Sequence, residues 1–257
     1  MKFVLLPIVL LLPASILAEN CVVNLSHYDM LRPDFRRMKS EGVTAIIHEA
    51  SYPSFKRDSL YYSRQEAATS VGLLWGAYHF GNASDPVRQA DYFLQVVADS
   101  WSHAAGSRPD AVLLVLDFER NGHYPGGSMR VDQAARFVER IRERTGRYPG
   151  IYGSENWLKA ALNNPRVSRA NQRTLSNCWL WIANYHYAPR YTFPWNHWHL
   201  WQYTGDGHCD LRPRQTYPKS VANMLRAERN IFNGSRADLE AFWLENGWQP
   251  GGKTASR

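Results

Sequence analysis

The chain has 257 residues and a formal net charge of +7 at neutral pH. Its Lys and Arg residues are scattered, with no compact basic cluster or recognisable binding motif, which argues against nucleic acid as a partner. A basic exported protein suits an anionic polymer such as a cell wall. No Cys/His spacing resembles a metal site, so the sequence predicts neither a metal nor a cofactor.

The chain begins with a predicted secretory signal peptide, residues 1–18. One Lys precedes an apolar core, and small residues precede Ala18. The apolar run is short for a membrane span and contains Pro7 and Pro13; an uncleaved N-terminal anchor is the alternative. We expect a secreted protein, extracellular or periplasmic, that is monomeric and free of the membrane after cleavage. Residues 19–246 form one domain in this interpretation, and the Gly/Pro/Lys-rich residues 247–257 form a flexible tail.

The mature chain opens with five alternations of strand and helix. The predicted strands cover residues 22–26, 43–47, 73–80, 111–119 and 148–152, and the helices between and after them cover residues 33–40, 59–70, 85–102, 131–141 and 155–162. This alternation is typical of a parallel β/α architecture. Three more strands at 179–185, 198–203 and 230–232 follow without clear helices between them, and a last helix at 237–245 closes the domain.

The fourth strand, AVLLVLDFE at 111–119, contains the strongest chemical signal. Its unbroken apolar run predicts a strand buried on both faces. Because side chains alternate along a strand, Asp117 and Glu119 should point to the same side and Phe118 to the other. Both carboxylates lie at the carboxyl end, where catalytic residues collect in parallel barrels. Mutual repulsion and partial burial should hold a proton on the pair, as a general acid requires.

Three cysteines, Cys21, Cys178 and Cys209, would reach an oxidising compartment. One disulfide is then possible, with one thiol left over. We predict the Cys178–Cys209 pairing, because both residues lie in the last third of the chain.

Six short motifs follow one another along the chain: GL and GAYHF within 72–80, LDFE at 116–119, GIY at 150–152, LWIANY at 180–185, LWQY at 200–203 and RNIFNGS at 229–235. With these motifs in this order, the sequence resembles the glycoside hydrolase family 25 lysozymes, which are N-acetylmuramidases. The resemblance covers nearly the whole mature chain. The fold that this resemblance implies is an irregular TIM-like barrel, five β/α units followed by three strands largely without helices.

The resemblance also implies a reaction, which is hydrolysis of the β-1,4 bond between N-acetylmuramic acid and N-acetylglucosamine in peptidoglycan. In that reaction Glu119 would be the general acid, and Asp117 would assist the substrate's 2-acetamido group as it attacks the anomeric carbon. The residues expected to bind substrate are Asn24, Tyr78, Tyr152, Trp181, Tyr185, Trp201, Gln202 and Glu228.

The chain departs from the family pattern at three places. The first strand of the family usually ends in Asp-x-Ser, whereas here Asn24 stands in the Asp position and cannot act as a base. Glu228 replaces an Asp before the RNIF segment, and residues 49–53 replace a Lys-Ala-x-Glu/Gln-Gly-like stretch. Two alternatives therefore stay open: a peptidoglycan-binding barrel with weakened catalysis, and a chitinase-like glycosidase, which also places Asp-x-Glu after a barrel strand.

Overall fold

The computed structural model describes residues 18–29, 31–104 and 106–251. The predicted signal peptide, apart from Ala18, and residues 252–257 of the predicted tail lie outside this part of the chain. Among the described residues, no helix has the length and apolar character needed to cross a membrane.

The described chain forms nine strands and seven helices. The strands are β1 (Glu19–Leu25), β2 (Ala45–Tyr52), β3 (Lys56–Arg57), β4 (Leu74–Phe80), β5 (Val112–Asp117), β6 (Gly150–Ser154), β7 (Trp179–Ala183), β8 (Leu200–Thr204) and β9 (Glu228–Phe232). The helices are α1 (Phe35–Ser40), α2 (Tyr61–Thr69), α3 (Pro86–His103), α4 (Val131–Thr145), α5 (Glu155–Leu162), α6 (Arg169–Ser176) and α7 (Arg236–Asn246).

Eight of these strands close into a barrel. The order runs β1-β9-β8-β7-β6-β5-β4-β2, and a parallel β1–β2 pairing completes the circle. Within the ring, β1, β2, β4, β5, β6, β7 and β8 are all parallel to one another, whereas β9 runs antiparallel to its neighbours β8 and β1. The short β3 pairs with the end of β2 outside the ring. The predicted TIM-like barrel, with five β/α units followed by three strands, is therefore confirmed.

Local sequence signals explain several helix ends. The Asp85 carboxylate accepts hydrogen bonds from the backbone N–H groups of Val87 and Arg88, and Pro86 occupies the first turn of α3. Helix α4 ends at Gly146, whose φ of 74° favours glycine. The sequence prediction missed α6 because that helix is mostly polar and buries only Leu175.

Helix α7 closes the bottom of the barrel. Its residues Leu239, Phe242 and Trp243 are buried with inward-facing strand residues, and the indole N–H of Trp243 donates to the Trp75 carbonyl at 2.9 Å. A side chain at Gly76 would come within 3.2 Å of the Trp243 ring, so the glycine makes room for this aromatic plug.

The packed chain extends past the predicted domain end at residue 246. Trp248 exchanges two backbone hydrogen bonds of 2.8 Å with Val112 at the start of β5. The described part of the predicted tail therefore begins as a strand-like contact with the barrel.

The predicted Cys178–Cys209 disulfide is wrong in this structure, where all three cysteines are buried free thiols. Cys178 immediately precedes β7, whereas Cys209 follows β8. Because β7 and β8 are parallel, these positions lie at opposite ends of the barrel, at least the length of a five-residue strand apart, about 16 Å. A disulfide requires Cα atoms roughly 4.4–6.8 Å apart.

Candidate active site

Strand alternation brings polar side chains together at one end of the barrel. On β5, Leu113 and Val115 are buried in the barrel interior, and Asp117 continues the same face. On β2, Ala45 and Ile47 precede Glu49 in the same way. Because β9 is antiparallel to its neighbours, its first residue, Glu228, reaches the end where the parallel strands finish.

These side chains line a cavity of about 870 Å³, within the size range of ligand pockets. Both predicted catalytic residues and six of the eight predicted binding residues border it: Asp117, Glu119, Asn24, Tyr78, Tyr152, Trp181, Tyr185 and Glu228. The structure thus brings the two carboxylates and an aromatic wall into one space.

Asp117 and Glu119 form the acidic centre of the cavity. Burial raises the pKa of Glu119 to about 7. Burial, followed by the nearby charges of Glu119, Glu49 and Glu228, also raises the pKa of Asp117. Asp117 is 6% exposed, and no donor among the described residues hydrogen-bonds its Oδ1. The centre therefore combines an acid whose pKa lies near neutral pH with a second, more deeply buried carboxyl group that has an unsatisfied oxygen among the described residues.

A hydrogen-bond network supports the floor of the cavity. The hydroxyl groups of Tyr152 and Tyr185 both donate to Gln202 Oε1, at 2.6 and 2.8 Å. Gln202 Nε2 in turn donates to Asn24 Oδ1 at 3.0 Å, and Asn230 Nδ2 donates to the same oxygen at 2.9 Å. The two tyrosine rings are thereby fixed to strands β8 and β1.

The two departures Asn24 and Glu228 contact each other. The Asn24 side-chain amide donates to Glu228 Oε2. An aspartate at position 24 would instead place two carboxylates against each other, so the amide complements the acid. Burial, then the charges of Asp29 and Asp206, raise the pKa of Glu228 to about 8. Asn24 and Glu228, the two departures from the family pattern, are therefore hydrogen-bonded partners in this chain.

Two predicted binding residues do not border the cavity. Trp201 points away from the barrel interior, is 3% exposed, packs near Trp198 and Tyr203, and donates to the Asn184 carbonyl. The structure therefore places Trp201 in the core outside the barrel interior and not at the cavity. Gln202 lies beneath the cavity and is connected to it through its hydrogen bonds to the lining residues Tyr152, Tyr185 and Asn24. By contrast, Trp181 borders the cavity and is anchored by a 2.7 Å hydrogen bond to Asn230 Oδ1.

Three acidic residues of the cavity were absent from the prediction: Asp29, Glu49 and Asp206. Glu49 is 2% exposed, and burial raises its pKa to about 7. The alternation Ala45, Ile47, Glu49 could have revealed it, but the sequence prediction did not use the alternation of the second strand beyond Ile47. The site therefore contains more carboxylates than the family motifs alone indicate.

A closed β/α barrel with paired carboxylates at the carboxyl ends of its strands is the architecture of a glycoside hydrolase. Residues 23–210 match the model of glycosyl hydrolases family 25, and the chain belongs to this family. The matched range includes Asn24, Asp117 and Glu119, and ends before Glu228.

Curated relatives agree with the family. The chain is 27% identical over 216 residues to "Lysozyme M1" of Streptomyces globisporus, covering 80% of this chain and 65% of that protein. It is 30% identical over 146 residues to "N,O-diacetylmuramidase" of Chalaropsis sp, covering 51% and 64%. The chain thus spans just under two thirds of the length of these relatives.

Solved structures share the fold. The bacterial lysozyme from Streptomyces coelicolor superposes with a TM-score of 0.66 at 24% identity, covering 89% of this chain and 99% of that one. The muramidase from Acremonium alcalophilum gives a TM-score of 0.64 at 23% identity, covering 87% and 98%. The likeness extends over the whole barrel.

Proposed function

We propose that the protein is a secreted muramidase that hydrolyses the β-1,4 bond between N-acetylmuramic acid and N-acetylglucosamine in peptidoglycan. The observation that supports this most directly is the carboxyl pair, in which burial raises the pKa of Glu119 to about 7 and Asp117 Oδ1 has no hydrogen-bond partner in the part of the chain that the structure describes. Family membership and the names of the relatives support the same substrate class.

The first chemical step breaks the glycosidic bond. Glu119 gives its proton to the leaving oxygen while the carbonyl oxygen of the substrate's own 2-acetamido group attacks the anomeric carbon. The Asp117 carboxyl group accepts the acetamido N–H, orienting the group and stabilising the positive charge that develops on it. The products of this step are a free sugar hydroxyl and a cyclic oxazolinium intermediate.

The second step restores the enzyme. The Glu119 carboxylate takes a proton from water, and the resulting oxygen nucleophile attacks the anomeric carbon from the face that the leaving group vacated. The ring opens to regenerate the acetamido group, and the configuration at the anomeric carbon is retained. Tyr78 and Tyr185, which are partly exposed, provide aromatic faces along the cavity against which sugar rings can pack, and the buried Trp181 supports the Tyr78 ring from beneath.

The test is release of reducing ends from purified peptidoglycan across pH, using wild type and Glu119→Gln. Glu240→Gln, at an exposed glutamate of α7, is the matched control. We expect the Glu119 variant to lose about 10²–10⁴-fold in rate and the control to keep the wild-type rate. Wild-type activity should fall as pH rises through about 7, because the acid must be protonated.

Three outcomes would contradict the proposal. Full activity of Glu119→Gln would refute the assignment of the acid. Binding to peptidoglycan without release by the folded wild type would favour the binding barrel. Turnover of chitin oligomers but not of peptidoglycan would favour the chitinase-like alternative.

Secretion is the remaining part of the proposal, and residues 1–18 support it through their sequence alone. Expression in a secreting host followed by N-terminal sequencing should give a mature protein beginning at Glu19. Retention of Met1 in a membrane fraction would contradict signal cleavage.

A further inference from the structure

A nitrogen and two carboxylates meet beside the cavity, outside the Asp117–Glu119 pair. His27 follows β1, Glu49 is near the end of β2, and Asp58 follows β3. His27 Nδ1 lies 2.8 Å from Glu49 Oε2 and 3.1 Å from Asp58 Oδ2. One atom from each residue lies within 4.8 Å of the other two. Their sequence positions form no recognisable metal motif, so the three side chains come together only in the folded chain, where the sequence predicts no metal site.

The hydrogen bonds of this cluster leave one carboxylate unsatisfied. Asp58 Oδ2 accepts the backbone N–H of His27 at 2.7 Å and is aligned with the His27 ring nitrogen, and its Oδ1 accepts the N–H of Leu60. The ring nitrogen has only one proton to donate. Glu49 Oε2 is buried beside it, 2.8 Å from the ring nitrogen, but no donor among the described residues is aligned to make a hydrogen bond to it. The single Nδ1 proton of His27 therefore cannot satisfy both acids when both are ionised.

The nearest guanidinium does not compensate for this deficit. Arg64 directs its NH1 group to the Ser26 carbonyl and the His48 ring, and its NH2 group to the carbonyls of Asp29 and Leu31. None of its hydrogen bonds goes to Glu49 or Asp58. Two buried acids thus share a single imidazole nitrogen, and either a proton held on one acid or a cation bound between them would relieve the cost of this arrangement.

We propose that His27 Nδ1, Glu49 and Asp58 bind one divalent transition-metal cation at the wall of the cavity. Imidazole with two carboxylates suits Zn²⁺ or Mn²⁺, whereas Ca²⁺ prefers an all-oxygen set. Two ligands about 2.1 Å from a metal are about 3.0 Å apart in octahedral coordination and about 3.4 Å apart in tetrahedral coordination, so the distances of 2.8 and 3.1 Å from His27 are closer to the octahedral geometry that Mn²⁺ adopts. This site goes beyond the proposed hydrolysis, because neither Glu119 nor Asp117 belongs to it.

Isothermal titration of the metal-free mature protein with ZnCl₂, and separately with MnCl₂, tests the site. We expect one equivalent of at least one of the two ions to bind, with affinity at least tenfold weaker in Glu49→Gln and in His27→Gln. His186→Gln is the matched control: its imidazole lies 2.6 Å from Asp210, but both side chains are about 70% exposed and only one carboxylate is present. Its affinity should equal that of wild type.

The titration does not depend on enzymatic activity, so it can fail while the proposed function stands. Absence of binding by the folded wild type, with either ion, would overturn the site. Equal binding by wild type, Glu49→Gln and His27→Gln would also overturn it, since the ion would then bind elsewhere. Circular dichroism of each metal-free variant establishes folding, and the His27 variant, at a partly exposed ring, provides a second test if Glu49→Gln does not fold.

Discussion

Glu228→Gln should reduce the loss of folding stability that occurs as the pH rises. Burial, with Asp29 and Asp206 nearby, raises the pKa of Glu228 to about 8, whereas an unfolded glutamate titrates near 4.3. Glutamine has nearly the same shape and keeps an oxygen to accept the Asn24 amide, but it cannot ionise. The substitution therefore removes the titration and preserves the contact.

The size of the effect follows from proton linkage. Below pH about 4 both states hold the proton, so the free energy of unfolding does not depend on this group. Between about 4.3 and 8 the unfolded chain has released the proton and the native protein retains it, so stability falls as pH rises, by at most about 1.4 kcal/mol per pH unit. Allowing for solvent screening of this partly exposed side chain, wild type should lose about 2 kcal/mol more than the variant between pH 5.5 and 7.5.

Urea unfolding at several pH values measures this difference directly. The wild-type and Glu228→Gln curves of unfolding free energy against pH should diverge between pH 5.5 and 7.5, with the variant losing less. Glu240→Gln, at an exposed site, should run parallel to wild type. Parallel curves for wild type and Glu228→Gln would refute the argument, because they would mean that Glu228 ionises equally easily in the folded and unfolded states.

Two further substitutions test the floor and the bottom of the barrel. Asn24→Asp should destabilise the protein by about 1–3 kcal/mol, because it replaces the donor to Glu228 with a second acid. Adding Glu228→Gln should recover most of this loss, since the glutamine amide can donate to the introduced carboxylate. Urea unfolding of wild type, the two single variants and the double variant measures this, and additive effects would contradict the pairing. Trp243→Ala should lower the free energy of unfolding by about 3–5 kcal/mol, because it leaves a cavity at the bottom of the barrel and removes the hydrogen bond to Trp75. A loss below about 1 kcal/mol in the same assay would show that α7 contributes little to the core.

The barrel and its acidic pair were accessible from sequence because both depend on short-range periodicity. The buried run before Asp117 identified a central strand, and alternation alone placed Asp117 and Glu119 on one side. Glu49 was missed because the end of a strand is poorly marked where polar residues begin. Extending the alternation of inward and outward side chains two residues past Ile47 would have placed Glu49 on the interior face of β2.

Other features depend on partners that are distant in sequence. Trp181 and Trp201 both lie in aromatic strands, and only the register of those strands determines which ring faces the cavity. The hydrogen bond between Asn24 and Glu228 joins residues 204 positions apart, so each looked like an isolated departure from the family. Cys178 and Cys209 are near in sequence but separated by the length of a strand, which proximity along the chain could not reveal.

The pairing of strands β1 and β9, which closes the barrel, affects how the chain folds. Strand β1, the first of the described strands, pairs with β9, the last, and α7 then fills the interior beneath them. During synthesis, the inner faces of the earlier strands can be fully buried only when β9 and α7 have been made, about 200 residues after β1. Contacts of such long range are slow to form, so a nascent chain exposes apolar strand faces for most of its translation. Aggregation during expression should therefore depend on how fast the ribosome delivers β9 and α7.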